Sequence, residues 1–330
     1  MSWRRHGHGG RRWRHGGELA PSLRPRDVAA MNTSVPDVVD VLELRTDAPL
    51  PGATDLVIEI PHGAVGDWEY HAVAARLSSP LPADLIEFFH VNTDSGAAEL
   101  AVALGERLCA RGVVGRVVIV RCRIPRTFID CNRVLGASLD AYRAGGVTPG
   151  VPPWVTAPVD HAFLVKRYTA YQAVASALIS EVCASGGRAL LLHTYAPRTV
   201  DVEVSPDIVF ALRAAYQPDR VETWPLRPEV DLIFRDPEGT RHLPNTVVDG
   251  LRKALAMQGY PLAEGATYPL HPVTTGHAHV MAWPGRVVCV EVRRDLLTEA
   301  FVPFRQVQID GERVGRVADG FANWLAAWTA

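Results

Sequence analysis

Apolar and polar positions alternate along this chain in two rhythms. Short β-rich apolar runs mark strands at Leu56–Ile60, stopping at Pro61, at Arg116–Val120, at Arg188–Leu192 and at Arg286–Val292. Between them, helical spacing predicts a helix over Gly96–Leu108, with Ala97, Leu100, Ala101, Leu104 and Leu108 on one face. A long amphipathic helix over Ala162–Cys183 is closed by Gly186 and Gly187. A shorter helix is predicted over Asn245–Met257, with Asn245 as its N-cap. Val314, Val317, Phe321 and Leu325 space out a C-terminal helix. Strands alternating with helices predict an α/β layer fold. Residues 136–160, rich in Gly, Pro and Ala, read as a long loop, and residues 196–244 as an irregular excursion. No internal repeat and no sharp break in composition divides the chain, so residues 31–330 are expected to form a single domain.

Composition narrows the class. With 330 residues, 48% hydrophobic and 21% charged, the chain is expected to be globular, and no run of 18 apolar residues indicates a membrane span. A formal net charge of −2 argues against broad electrostatic binding of nucleic acid. That average hides residues 1–30, where arginines, histidines and glycines cluster with almost no apolar pattern. This basic tail is expected to be disordered and lacks the apolar core of a secretory signal; Met31 is a sensible alternative start. The five cysteines form no C-x-x-C pair and mostly sit among aliphatic neighbours, as reduced buried thiols of a cytoplasmic protein do.

The candidate chemistry gathers at strand ends, where open α/β sheets place their sites. His62 follows one strand and His193 another; Asp130, Asn132 and Arg133 lie just beyond a third. Two histidines and a carboxylate form a standard catalytic zinc set that leaves a position for water. His62 and His193 are the nitrogen donors. The carboxylate is Asp94, with Asp67 and Glu69 as competitors; Thr93, Asp94 and Ser95 are also good helix N-caps. Glu291 stands inside an otherwise apolar strand, where a buried carboxylate is costly unless paired, and burial raises its pKa toward that of a useful general base. The competing expectation is a strand-end ion pair with Arg293 or Arg294. The segment Arg126–Arg133 offers Arg and Asn donors for a carboxylate, or a loop ion pair made by Asp130.

In order and spacing these residues resemble the N-formylglutamate amidohydrolase family. Ile60-Pro61-His62-Gly63-Ala64 is similar to its I-P-H-S-G segment, and Asn92-Thr93-Asp94 with Leu100 to its D-T-D-W segment with a later leucine. Arg126–Arg133 resembles R-Y-V-V-D-L-N-R, Tyr168 and Tyr171 its Y-x-x-Y, Leu191-Leu192-His193-Thr194 its D-x-H-S, and His279–Glu291 its late V-H-A-x-Q-L-E segment. That family is distantly similar to zinc carboxypeptidases and aspartoacylase, which share the D-x-N-R segment, the strand-end histidine and the late glutamate. The resemblance implies a three-layer fold, a mixed sheet of about eight strands flanked by helices. It implies one zinc held by His62, Asp94 and His193, with Glu291 as the base. Asn132 and Arg133 would hold a substrate carboxylate, and Arg126 a second carboxylate or the scissile carbonyl. The expected substrate is a small N-acyl acidic amino acid, N-formyl-L-glutamate above all. A carboxypeptidase, a deacylase for a larger acyl group and an inactive ligand-binding relative are the alternatives. The chain departs from the pattern at Gly63, where the family has serine, and at Leu191, where it has aspartate; carboxypeptidases carry glutamate where Val65 stands. Residues 136–160 and His271–His279 are candidate lids.

Overall fold

The computed structural model describes residues 34–329, so the basic tail expected over residues 1–30 lies outside the described residues. Seven strands form one mixed sheet: β1 (Val39–Arg45), β2 (Thr54–Ile60), β3 (Val114–Cys122), β4 (Arg188–Tyr195), β5 (Val230–Ile233), β6 (Leu262–Glu264) and β7 (Val287–Arg293), in the spatial order β1-β3-β2-β4-β7-β5-β6. The four central strands β3, β2, β4 and β7 run parallel, so their carboxyl ends share one rim; β1 and β5 flank them antiparallel.

Strand geometry sends alternate side chains to opposite faces, and each face is buried under helices. Leu56, Ile58 and Ile60 of β2 point to one side, where they pack with Leu100, Leu104, Leu251, Val317 and Phe321 from helices Ala97–Ala110, Asn245–Ala256 and Gly311–Thr329. Val57, Leu191 and Cys289 point to the other, under helix Pro158–Ala184 and the shorter helices Asp67–Ala74, Leu85–Asn92 and Ile208–Ala215. This is the expected three-layer α/β architecture, with seven strands among the described residues rather than about eight. Truncating a fully buried residue such as Leu104 removes apolar contacts from one layer, at about 2–5 kcal/mol.

Four local expectations change. β4 does not end at Leu192. Its ladder with β7 continues through His193↔Glu291 to Tyr195↔Arg293, so His193 lies inside the strand. Pro244, not Asn245, takes the N-cap position of its helix. Residues 136–160 contain a short helix, Leu139–Ala144, and the start of the long one at Pro158. The stretch 196–244 contains helix Ile208–Ala215 and strand β5. The five cysteines are free thiols, four buried and Cys109 half-buried. No helix among the described residues is long and apolar enough to cross a membrane.

Candidate metal centre

His62, Asp94 and His193 meet at the carboxyl rim of the sheet, each supplying one potential ligand atom within 4.8 Å of the others. His62 follows β2 directly. Asp94 arrives on the connection between helices Leu85–Asn92 and Ala97–Ala110, whose backbone is tied to the first loop by the Asp94 N–H donating to the His62 carbonyl at 3.3 Å. His193 projects from β4. One carboxylate oxygen, Asp94 Oδ2, lies 3.3 Å from His62 Nδ1 and 3.1 Å from His193 Nδ1, and the two rings stand 5.1 Å apart. All three side chains are buried.

The alternatives for the carboxylate sit elsewhere. Glu69 is buried but receives Arg121 at 2.9 Å and Arg123 at 2.5 Å, together with the N–H groups of Val65 and Gly66. Asp67 is exposed and faces His90 at 3.4 Å. Asp94 is not a helix cap: Gly96 holds the N-cap position with φ +89°, and no side chain caps that helix.

Asp130 carries a role that sequence reasoning gave only as a loop ion pair. Its Oδ1 lies 2.8 Å from His62 Nε2, while Oδ2 accepts from Arg126 Nε at 2.9 Å and faces Arg133 Nη2 at 3.4 Å. Burial works against its ionisation, but Arg126, Arg133 and His62 outweigh that and hold the carboxyl well below the usual carboxylate range. An ionised Asp130 only accepts, so His62 Nε2 carries a proton, and Nδ1 is the ring nitrogen turned to Asp94 that a metal would take. For Asp94 too, burial is outweighed by the charge of His62 and hydrogen bonds from both rings, so it stays ionised. The contact between each Nδ1 and the Asp94 carboxylate is one that a proton or a bound metal cation can bridge. A nitrogen–oxygen–nitrogen donor set with an oriented histidine suits a divalent transition metal such as zinc.

Glu291 stands directly across from His193 in the β4–β7 ladder, on the same face of the sheet. Burial raises its pKa above the ordinary carboxylate value, with His193 opposing and Asp94 adding to the rise. No hydrogen bond or ion pair reaches its carboxylate among the described residues. The expected pairing with Arg293 or Arg294 does not form: Arg293 turns to Asp295 at 2.8 Å, and Arg294 to the Val91 carbonyl at 2.6 Å.

The Arg126–Arg133 loop is pinned from below by helix Pro158–Ala184, through Gln172 Nε2 donating to the Cys131 carbonyl at 2.6 Å and Tyr168 Oη to the Arg133 carbonyl at 2.7 Å. Arg126 uses only Nε, leaving both terminal nitrogens without a hydrogen-bond partner among the described residues. Arg133 is buried and directs its guanidinium to the carbonyls of Thr148 and Asn132. The amide oxygen of Asn132 accepts from Thr275 Oγ1 at 3.0 Å and Gly276 N at 3.2 Å, which leaves its NH2 group free of protein partners among the described residues. The segment His271–His279 thus forms a wall against this loop, and His271 and His279 are themselves buried.

At two positions where the sequence departs from the pattern it resembles, the local packing is specific. A Cβ at Gly63 would lie 2.6 Å from Arg121 Cγ and 3.1 Å from the Cys122 carbonyl, so a serine does not fit there without displacing Arg121. Leu191 pairs in register with Glu59 of β2, so a buried carboxylate enters that row from the adjoining strand instead.

No protein-family model matches the chain, and no curated protein matches it. Among solved structures it is similar to a gene product of Agrobacterium tumefaciens, at 16% identity over 88% of this chain and 94% of that one, with a TM-score of 0.49. It is also similar to a metallo-carboxypeptidase from Burkholderia cenocepacia, at 13% identity over 87% of this chain and 60% of that one, TM-score 0.40. An aspartoacylase family protein from Mesorhizobium loti matches at 15% identity over 86% of this chain and 61% of that one, TM-score 0.31. The chain spans about three fifths of the length of the latter two.

Proposed function

We propose that this chain is a zinc-dependent amidohydrolase that cleaves the amide of an N-acyl acidic amino acid, with N-formyl-L-glutamate and water giving formate and L-glutamate. The observation that carries the reading is the meeting of His62 Nδ1, Asp94 Oδ2 and His193 Nδ1, with an unpartnered Glu291 carboxylate on the neighbouring strand. His62, Asp94 and His193 would hold the metal, which when bound supplies Lewis-acid polarisation and an acidified water.

The remaining steps belong to the chain's own side chains. Glu291, its pKa raised by burial, accepts a proton from the attacking water and delivers it to the departing amine nitrogen as the C–N bond breaks. The free terminal nitrogens of Arg126 supply donors for the scissile carbonyl oxygen or a carboxylate, and the Asn132 NH2 group supplies a further donor for the substrate carboxylate. Arg133, largely committed to backbone carbonyls, contributes positive charge and the shape of that wall. Burial of the surrounding loop keeps these donors in place before substrate arrives.

The test is metal analysis of the purified chain beside a formate-release assay. The expected result is about one zinc per chain, from the one three-ligand group among the described residues, with formate released stoichiometrically with glutamate. A metal-free chain that regains no activity with zinc, or a metal-loaded chain inert toward N-formyl and larger N-acyl amino acids, overturns the reading.

A further inference from the structure

Arg227 has no place in any of the sequence motifs, yet its side chain reaches the same rim of the sheet. Tyr195 lies two residues beyond His193 on β4 and therefore on the same face. The Tyr195 hydroxyl donates to the Pro228 carbonyl at 2.5 Å, and the Arg227 guanidinium carbon stands 5.1 Å from the Tyr195 ring centroid. The backbone is held on both sides: Arg227 N–H donates to the Pro197 carbonyl at 2.8 Å, and the Arg227 carbonyl accepts from Arg293 Nη1 at 2.8 Å.

The guanidinium itself is steadied by neutral oxygens alone. Nε donates to Thr199 Oγ1 at 3.1 Å and Nη2 to Tyr268 Oη at 3.1 Å, while Nη1 has no partner among the described residues. No carboxylate lies within ion-pair distance of it among those residues. Arg121, Arg123 and Arg213, by contrast, are each matched to an acid. A half-buried guanidinium held by hydroxyls, with a donor to spare, is arranged to receive an anion from outside the fold. Its surroundings place it in the catalytic chamber. It packs on Tyr195, two residues beyond His193 on β4, and its carbonyl is held by Arg293, two residues beyond Glu291 on β7, the two pairs lying in register. Two guanidinium groups with free nitrogens at one rim of the sheet match a substrate with two negative charges.

Resting on the amidohydrolase reading, we propose that Arg227, steadied by Thr199 and Tyr268, receives the side-chain carboxylate of the substrate and makes the enzyme select dicarboxylic N-acyl amino acids over neutral ones. Asn132 and Arg126 are then left for the α-carboxylate and the scissile carbonyl.

The experiment compares N-formyl-L-glutamate with N-formyl-L-glutamine, equal in length and lacking only the charge, on the zinc-loaded full chain. The wild type should prefer the glutamate derivative about 30-fold in kcat/KM, the range of one charge-assisted hydrogen bond. Arg227→Met should remove that preference, acting mainly through KM for the glutamate derivative. Arg227→Lys should restore part of it. Should Arg227→Met fail to melt cooperatively, the wild-type ratio and the lysine variant decide. Equal wild-type activity on both substrates, or an equal fall on both in either variant, overturns the assignment. Hydrolysis of neither by the wild type overturns the amidohydrolase reading itself, and this assignment with it.

Discussion

Asp130 and His62 share a 2.8 Å hydrogen bond at the ring nitrogen turned away from Asp94. The bond fixes which nitrogen of His62 carries the proton and aims the other toward Asp94 and His193. Asp130→Asn keeps an acceptor in place but removes the charge that sets the tautomer and balances Arg126 and Arg133. Zinc affinity is expected to fall about 10–100-fold in this variant, the usual effect of losing a histidine's supporting carboxylate. Competition against a chromophoric chelator measures it, with a thermal melt run alongside. Unchanged affinity in a folded variant means Asp130 does not orient the ligand.

His193 and Glu291 are expected to separate binding from chemistry. His193→Ala removes one of three donors and should leave the chain without stoichiometric zinc. Glu291→Gln keeps size and hydrogen-bonding capacity but takes away the basic oxygen, so it should bind zinc as the wild type does while losing about 10²–10⁴-fold in kcat. Metal content and initial rates on the same preparations check both. A Glu291→Gln variant with full activity would place the base elsewhere.

The parts of this site that sequence made legible are those whose residue type is unusual for its surroundings. Glu291 breaks an apolar strand, and His62 follows one at a proline, so burial logic alone singles both out. Asp94 was ambiguous because a carboxylate before a helix serves equally well as a cap. Only the loop crossing from helix Leu85–Asn92 shows it turned to the histidines. Arg227 and Tyr268 carry no pattern at all, since tertiary packing brings together residues about forty apart on irregular segments. The same contrast holds for the sheet. β2, β3, β4 and β7 read as continuous apolar runs because both faces are buried. β1 was missed because the alternation of Val39 and Val41 is broken by Glu43, which takes the third position of that face and pairs with Arg116, while Asp40 on the other face pairs with Arg123. β5 and β6, four and three residues long, are too short to display a period.

Cys183 gives the fold a measurable alkaline dependence. Burial pushes its thiol up to about 11 from an ordinary value near 9, with Arg286 and Arg188 opposing. Below pH 9 the thiol is protonated in both folded and unfolded chains, so it contributes no slope. Between about 9 and 11 the unfolded chain releases this proton and the folded chain does not, so stability falls as pH rises through that window. Denaturant midpoints measured from pH 8 to 10.5 should decline more steeply for the wild type than for Cys183→Ala. Parallel slopes mean the thiol ionises alike in both states.

Beneath the candidate metal site, Tyr171 Oη donates to Glu59 Oε1 at 2.6 Å, and the second carboxylate oxygen has no partner among the described residues. Glu59 is 1% exposed, one residue from the end of β2, so its one hydroxyl partner supports a carboxyl group that water does not reach. Tyr171→Phe removes that partner and is expected to cost about 1–3 kcal/mol of stability. Replacing both members, Glu59→Met with Tyr171→Phe, leaves an apolar pair of similar volume and should recover most of the loss, because the penalty comes from the stranded carboxylate and not from the missing bond. A double-mutant cycle by urea denaturation resolves the two contributions. The coupling should exceed about 1 kcal/mol in the direction that makes the double variant more stable than the sum of the singles. If the two losses simply add, Glu59 and Tyr171 are independent core residues, and the carboxylate under His193 is satisfied by other means.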